Sequence, residues 1–261
     1  MNGALYVAKT GLTAQDQRLQ IISNNLANVS TTGFKKDRAV FNDLFYRVVK
    51  QPGAQSSQDS QLPSGLQLGH GVSVAASQKL HTAGALELTE NPLDLAIDGR
   101  GFFQVLLPDG TTAYTRDGQF QINSDGLLVN ASGFEVQPSI TIPSDVQTLT
   151  VGQDGTVSVT QPGTVSVTQL GIIQVADFVN PAGLQALGDN NFRETAASGS
   201  ATVGTAGTSG LGLIRGGMVE NSNVNVVEEM VSMIETQRAY EMNSKVISTA
   251  DQMLQFIAQN L

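Results

Sequence analysis

From Val226 onward an apolar residue recurs at every seventh position: Val226, Met233, Tyr240, Ile247, Leu254 and Leu261. Two turns of an α-helix nearly close on seven residues, so this row draws one narrow stripe along a helix. A stripe that narrow asks for another helix, not for a broad core. Met230, Ile257 and Ala258 lie beside the row, and the alternate stripe positions read as the polar Gln237, Ser244 and Asp251. The other end of the chain carries a similar seam. Leu5, Ala8, Leu12, Leu19, Ile22, Leu26 and Val29 follow alternating spacings of three and four, with Gln15 the one polar member. Helices over 1–30 and 226–261 are predicted, very roughly 40 and 50 Å long at ~1.5 Å per residue. Interrupted seams leave an isolated helix marginal in water. Both ends are therefore expected to be disordered in an isolated monomer and to order against neighbours.

The first helix stops on an unusual stretch, ISNNLANVSTTGFKK (21–35). Asn24, Asn25 and Asn28 each cost a helix roughly half a kcal/mol against alanine, because their amides compete for the backbone. Asn24 and Asn28 are four apart and share a face; Asn25 lies about 100° round from Asn24. In a helix surrounded by helices, such amides can bond across subunits and fix axial register. An unpaired amide in a wrong register would cost ~1–3 kcal/mol. Asn28 and Gly33 also read as helix-stop signals, and plain stop signals on a wet surface are the simpler alternative. Asn221, Asn223 and Asn225 open the second helix in a similar way.

Between the helices the pattern changes. Asp-Gly occurs at 98–99, 109–110, 117–118, 125–126 and 154–155, several times beside apolar or alternating runs such as FFQVLL and FQIN. Asp-Gly suits a type I′ hairpin turn, which needs positive φ at both central residues. Residues from about 70 to 220 thus read as an antiparallel β-domain, in keeping with 27 glycines. The tandem TVSVTQPG/TVSVTQLG (156–171) reads as two strands joined by a Pro-Gly turn. ASGSATVGTAGTSGLG (197–212) reads as a low-complexity loop or weak strand. The fold class is α+β, with terminal helices around a central β-domain.

Charge and chemistry remove several functions. A net charge of −9 argues against nucleic acid. Residues 1–50 carry +4 and residues 220–261 carry −4, so the ends complement each other, or form two solvated helix faces. Without cysteine there are no disulfides and no thiolate chemistry. No apolar run is long enough to span a membrane, the start does not read as a signal peptide, and composition alone suggests a cytoplasmic protein. The Asp-Gly aspartates lack the EF-hand pattern. His70 and His81 show no metal-ligand spacing and read as surface or turn residues. No P-loop lysine and no G-x-S-x-G is present. No enzyme activity, cofactor, metal, small-molecule substrate or nucleic-acid partner is expected. A carbohydrate-binding or adhesive β-protein lacks aromatic platforms, with four tyrosines and no tryptophan. A carboxylate hydrolase would need two of the aspartates held in one cleft.

Three long blocks carry a resemblance. GLTAQDQRLQIISNNLANVSTTGFKKDRAVFNDL (11–44), IDGRGFFQV…PDGTTAYTRDGQFQINSDGLLV (97–129) and VENSNVNVVEEMVSMIETQRAYEMNSKVISTADQML (219–254) resemble, in order, the signatures of the flagellar rod and hook family. The length and the segment YRVVKQPGAQSSQDSQLPSGLQLG (46–69) look most like the distal rod members; proximal rod and hook subunits are the alternatives. The resemblance implies a subunit that polymerises helically into a hollow, torque-transmitting shaft in the basal body, housing the export channel. Export would run through the flagellar type III apparatus without a cleaved signal, which replaces the cytoplasmic reading. The implied partners are further copies of the chain, proximal rod proteins, the hook protein, the P- and L-ring bushing proteins and the rod cap. The implied domains are 1–30 with 226–261 as a coiled-coil-like inner tube, 31–70 as a connecting arm and 71–225 as the β-domain. Expected interface residues are Leu5, Leu12, Leu19, Ile22, Asn24, Asn25, Leu26, Asn28, Val226, Met233, Tyr240, Ile247 and Leu254. The arm is expected to be extended, to bond to adjacent subunits and to stiffen the shaft, through Val48, Val49, Pro52, Gly53, Gln55, Pro63 and Leu66.

Overall fold

The computed structural model describes residues 2–53, 55–57, 60–61, 63–162 and 166–259, without the side chains of 2, 55–57, 60, 61 and 257. Leu261 of the heptad row and the side chain of Ile257 beside it lie outside the described residues, as does the centre of the arm at 58 and 59. Compactness divides the chain into a helical unit of 1–27, 37–79 and 225–261 and a β-rich unit of 28–36 and 80–224. The arm segment thus groups with the helices, and the turn after the first helix groups with the β-rich unit.

In the helical unit, α1 spans Asn2–Ala27 and α2 spans Val226–Gln259. Asn225 caps α2, its Oδ1 accepting the Val227 N–H at 3.1 Å, and Glu228 and Glu229 stand in the first turn, where carboxylates suit the helix dipole. Asn25 meets Glu229 and Gly11 meets Asn243, so the two helices pack antiparallel. The inward row of α2 corrects the phase read from the sequence. Thr236 is buried and Asn243 and Ala250 are half-buried, whereas Gln237, Ser244 and Asp251 are exposed. A seam of threes and fours can begin with either step, and neither candidate row was apolar enough to decide it. α1 also contacts a two-stranded antiparallel sheet of Asp37–Asp43 and Val72–Lys79, bulged between Val40 and Phe41. There Thr10 Oγ1 accepts the Val72 N–H at 3.4 Å. Gly71, at φ 110°, passes so close that a Cβ would fall 2.0 Å from that hydroxyl.

The β-rich unit is built on a nine-stranded antiparallel sheet. Its central strand, Phe102–Leu106, pairs with Glu135–Gln137, Thr112–Thr115 and Gln174–Asp177. Successive side chains of a strand point to opposite faces. Phe103 and Val105 therefore enter the main core with Leu95, Phe120, Val136, Val175 and Ile214. Phe102 joins a second cluster with Tyr114, Phe178 and Phe192. A three-stranded sheet, Thr148–Val151, Thr156–Thr160 and Thr168–Ile172, contributes Val157 to the main core.

The turns differ from the type I′ expectation. At 109–110, 125–126 and 154–155 only the glycine has positive φ. Each glycine N–H returns to a carbonyl three residues back, at Leu107, Asn123 and Gly152. These are type I turns closed by a left-handed glycine. Asp109 and Asp154 accept the N–H and hydroxyl of Thr111 and Thr156, so the aspartates brace turns instead. Asp98-Gly99 and Asp117-Gly118 close no hairpin between paired strands. Positive φ at both turn residues occurs at Asp189 and Asn190, a pair without glycine that links Gln185–Gly188 to Asn191–Arg193. The two TVSVTQ copies pair antiparallel as expected, Val157 with Gly171 and Val159 with Thr168. Residues 163–165 lie outside the described residues, and the second strand begins only at Thr168.

Candidate functional site

The helix pair places the expected interface residues in three settings. Leu5, Leu12, Leu19 and Leu26 of α1 and Met233, Ile247 and Leu254 of α2 are half-buried. Val226, Tyr240 and Asn24 are exposed. Asn28 is half-buried just past the helix end, its Oδ1 accepting the Thr31 hydroxyl at 3.2 Å. Ile22 and Asn25 are buried within the single chain. Asn25 therefore corrects the expectation of a bond across subunits. Its Nδ2 donates to the Asp37 carbonyl at 2.9 Å and to Glu229 Oε2 at 3.3 Å, and its Oδ1 accepts the Asp37 N–H at 2.9 Å. One amide thus ties the end of α1 to the start of a strand and to α2. Gly33 departs from its helix-stop role as well. It stands six residues beyond α1, at φ 68°, where a Cβ would fall 2.6 Å from the Asp117 nitrogen.

The small and polar residues of α2 face α1, and many of its apolar residues face away. Val227 is 70% exposed, and Met230, Val231, Ile234, Met242, Val246 and Met253 are exposed along the same helix. Exposed apolar side chains thus recur along α2 from Val227 to Met253. Composition hid them, because only the packing of α1 shows which stripe is already covered.

The arm, expected to be extended, is built of strands that double back on each other. Tyr46–Lys50 pairs antiparallel with Leu66–Gly69, and Gln55–Ser57 pairs with Ser60–Gln61, so the segment doubles back as a ribbon. Val48, Val49 and Leu66 are exposed, with Tyr46 and Leu68 beside them, and Phe45 at the base is 91% exposed. Pro52, Gly53 and Pro63 are exposed and lie outside the strands. Gln55 opens the short outer strand, and its side chain lies outside the described residues. A two-stranded ribbon is marginal alone in water, and apolar side chains exposed along it leave it in need of a partner.

A buried ionic cluster in the β-rich unit was not foreseen. Lys35 Nζ lies 2.6 Å from Glu220 Oε1, and Arg116 Nη1 lies 3.1 Å from Glu220 Oε2. Lys35 also donates to the Thr82 carbonyl, the Gly84 N–H donates to Glu220, and Arg116 reaches the Ile97 and Gly99 carbonyls. Burial pushes the Lys35 ammonium below the usual lysine range despite the Glu220 carboxylate beside it. Lys35 and Glu220 both stood among the unbalanced charges of the two ends; here they form one solvent-free pair, not parts of solvated helix faces. The cluster pins the turn 33–36 to the chain at 82–84 and at 220. Nothing in the spacing of these residues could have paired positions so far apart. His81 is likewise no surface residue: it is half-buried and packs edge-on against Phe102 and Phe192. Among the described residues no cluster of His, Asp or Glu could hold a metal ion.

An exposed apolar helix face, a ribbon with exposed apolar side chains and aspartates that brace turns suit a structural protein that assembles. Family models agree. The flagella basal body rod protein model matches residues 5–35, the flagellar hook protein FlgE/F/G D1 domain model 96–159, and the flagellar basal body rod FlgEFG protein C-terminal model 215–260. The chain is 52% identical to the flagellar basal-body rod protein FlgG of Buchnera aphidicola subsp. Acyrthosiphon pisum, over 98% of both chains. Identity is 50% to the protein of that name from the subspecies Baizongia pistaciae, over 97% of both, and 48% to that of Caulobacter vibrioides, over 98% of both. The chain belongs to the flagellar basal-body rod protein family. It is a structural subunit of the distal rod in the flagellar basal body, and the family is not one of enzymes. Membership brings self-assembly and association with other rod and hook components.

Proposed function

We propose that copies of this chain stack helically into the hollow drive shaft that carries torque to the hook. In this reading α1 and α2 line the export channel as a coiled-coil-like tube. The carrying observation is the outward apolar surface of α2, from Val227 to Met253. At ~25 cal/mol per Å² of apolar surface removed from water, a neighbouring helix on that surface supplies a large driving force for polymerisation. The chain provides each helix with one neighbour, and the shaft provides the rest. Leu5, Leu12, Leu19, Leu26, Met233, Tyr240, Ile247 and Leu254 serve the tube as the rims of this helix pair. Specific partners in this reading are the proximal rod proteins, the hook protein, the P- and L-ring proteins and the rod cap. The subunit travels unfolded through the flagellar type III apparatus, so its helices cannot polymerise early. The test is replacement of the rod subunit in a motile bacterium by this chain, followed by electron microscopy of purified basal bodies. Straight rods and motility are expected; basal bodies that stop short of the distal rod would refute the reading.

A further inference from the structure

Three of the five Asp-Gly pairs sit in turns with one backbone geometry. The glycine N–H at 110, 126 and 155 returns to the carbonyl three residues back, and each glycine has positive φ. The residue after the glycine sets the turns apart. At 111 and 156 it is threonine, whose hydroxyl and N–H both donate to the aspartate carboxylate. Those bonds hold Asp109 and Asp154 below the usual carboxyl range, which keeps both ionised. At 127 it is leucine. Asn123 braces this turn instead, its Oδ1 accepting the N–H of Asp125 and of Leu127. The Asp125 carboxylate is left exposed and, among the described residues, without a hydrogen bond or ion pair. With Ser124 and Gly126 it lines a cleft of about 630 Å³ in the β-rich unit, where water reaches it. The remaining two pairs are restrained. Asp98 meets the Arg215 guanidinium at 3.1 Å. Asp117 accepts the Thr32 hydroxyl and the Gln119 N–H, and a Cβ on Gly118 would overlap the Leu95 carbonyl oxygen, so this backbone has no room to turn.

We propose that Asp125-Gly126 is a site of isoaspartate formation, selected from the five Asp-Gly pairs by its unengaged carboxyl group. The Gly126 nitrogen attacks the side-chain carboxyl carbon of protonated Asp125. A C–N bond forms, and the carboxyl hydroxyl leaves with the amide proton as water. A second water opens the succinimide ring at the former main-chain carbonyl, breaking its bond to the Gly126 nitrogen. The chain then runs through the Asp125 side chain, and the carboxylate sits on Cα. The reaction takes no oxidant and no metal, and glycine carries no side chain to hinder the approach. Its product is the substrate class of methyltransferases that use S-adenosylmethionine to esterify isoaspartyl carboxylates. The main chain also grows by one carbon between 125 and 126. Gly126 accepts the Ile142 N–H at 2.7 Å and has no spare room beside the Ile142 carbonyl. Ile142 belongs to the main core, so the longer chain loosens the turn from it.

The test incubates the folded full-length chain for weeks in mildly acidic buffer, beside the same chain in guanidinium chloride, and locates isoaspartate by electron-transfer fragmentation. In the folded chain the yield at 125 is expected to exceed that at each of 98, 109, 117 and 154 at least fivefold. In denaturant, with no fold to restrain them, the five yields are expected to agree within about threefold. Equal yields in the folded chain, or a larger yield at any of the other four, overturn the proposal. A fivefold preference for 125 that persists in denaturant overturns it too, because local sequence would then be the cause. Asp125→Glu keeps a carboxyl group but would have to close a six-membered ring. It is expected to remove most of the label that an isoaspartyl methyltransferase places on the aged tryptic segment 117–193; undiminished label contradicts the site. Amide exchange at Ile142 is expected to quicken in the aged chain and not in aged Asp125→Glu, and equal rates overturn the loosening.

Discussion

Asn25 gives its whole amide to the chain that contains it. Removing it leaves the part-buried N–H and C=O of Asp37 and one oxygen of Glu229 without that partner, and an unsatisfied buried group costs on the order of 1–3 kcal/mol. Asn25→Ala is therefore expected to destabilise the helical unit by about 2 kcal/mol, and to speed amide exchange at Asp37. Unchanged exchange there would show that the amide is dispensable. Asp117 is a residue the fold tolerates at a cost. Burial raises its carboxyl pKa, with the Asp94 charge adding to it, while hydrogen bonds from the Gln119 N–H and the Thr32 hydroxyl oppose the shift. The folded chain thus holds this proton more tightly than the unfolded chain does. Its contribution favours folding below the ordinary carboxyl value and is lost as pH rises through the raised one. Asp117→Asn keeps the accepting oxygen and discards the buried charge. Equal or greater stability at pH 7 is expected, with a smaller gain on acidification, in denaturant titrations at both pH values. A clear loss at pH 7 would assign Asp117 a charge-dependent role.

At the scale of elements, helices were easier to read than their packing. Alternating threes and fours mark α1 from Leu5 to Leu26, and both helices form where that spacing places them. The covered row of α2 was not legible, because Thr236, Asn243 and Ala250 carry no hydrophobic signal and only contact with α1 selects them. Gly11 shows why. A Cβ there would stand 3.1 Å from Asn243 Nδ2, so glycine lets the helices approach. Gly11→Leu is expected to push the pair apart and lower the helical unfolding midpoint; an unchanged midpoint would place the closest approach elsewhere. The turns were legible as turns but not by type, because an aspartate that accepts hydrogen bonds from a following threonine braces the turn without positive φ. Asn223 was visible among the asparagines before the second helix, but its partners were not, for the same reason as those of Lys35: its side chain bonds the Lys36 N–H and the Leu80 and Thr82 carbonyls, distant in sequence. In the arm, the prolines and glycines were visible and the strand pairing was not, since exposed apolar residues on a ribbon show no burial periodicity. Deleting residues 50–64 removes the outer part of the ribbon, and shafts so built are expected to bend more easily by electron microscopy. Straight shafts of unchanged persistence would place their stiffness elsewhere.

Across the whole molecule, function was legible through what the chain lacks and what it repeats. Long blocks at both ends and in the centre matched a family, whereas no local motif offered chemistry. The exposed apolar surface of α2 became visible only once α1 had covered one side of the helix. Ile22 is buried inside the chain, so a charge there would disrupt the helix pair itself. Val231 and Ile234 are exposed and separate the two effects. Val231→Asp with Ile234→Asp is expected to leave the chain folded by circular dichroism and to abolish rods; rods in normal number would remove this surface from the assembly. The most direct measurement of the account is electron cryomicroscopy of basal bodies built from this chain. Density for α1 and α2 is expected at the inner wall of a hollow shaft, with the Val227–Met253 surface covered by helices of neighbouring copies. Helices on the outer surface, or that surface left open to solvent, would contradict it.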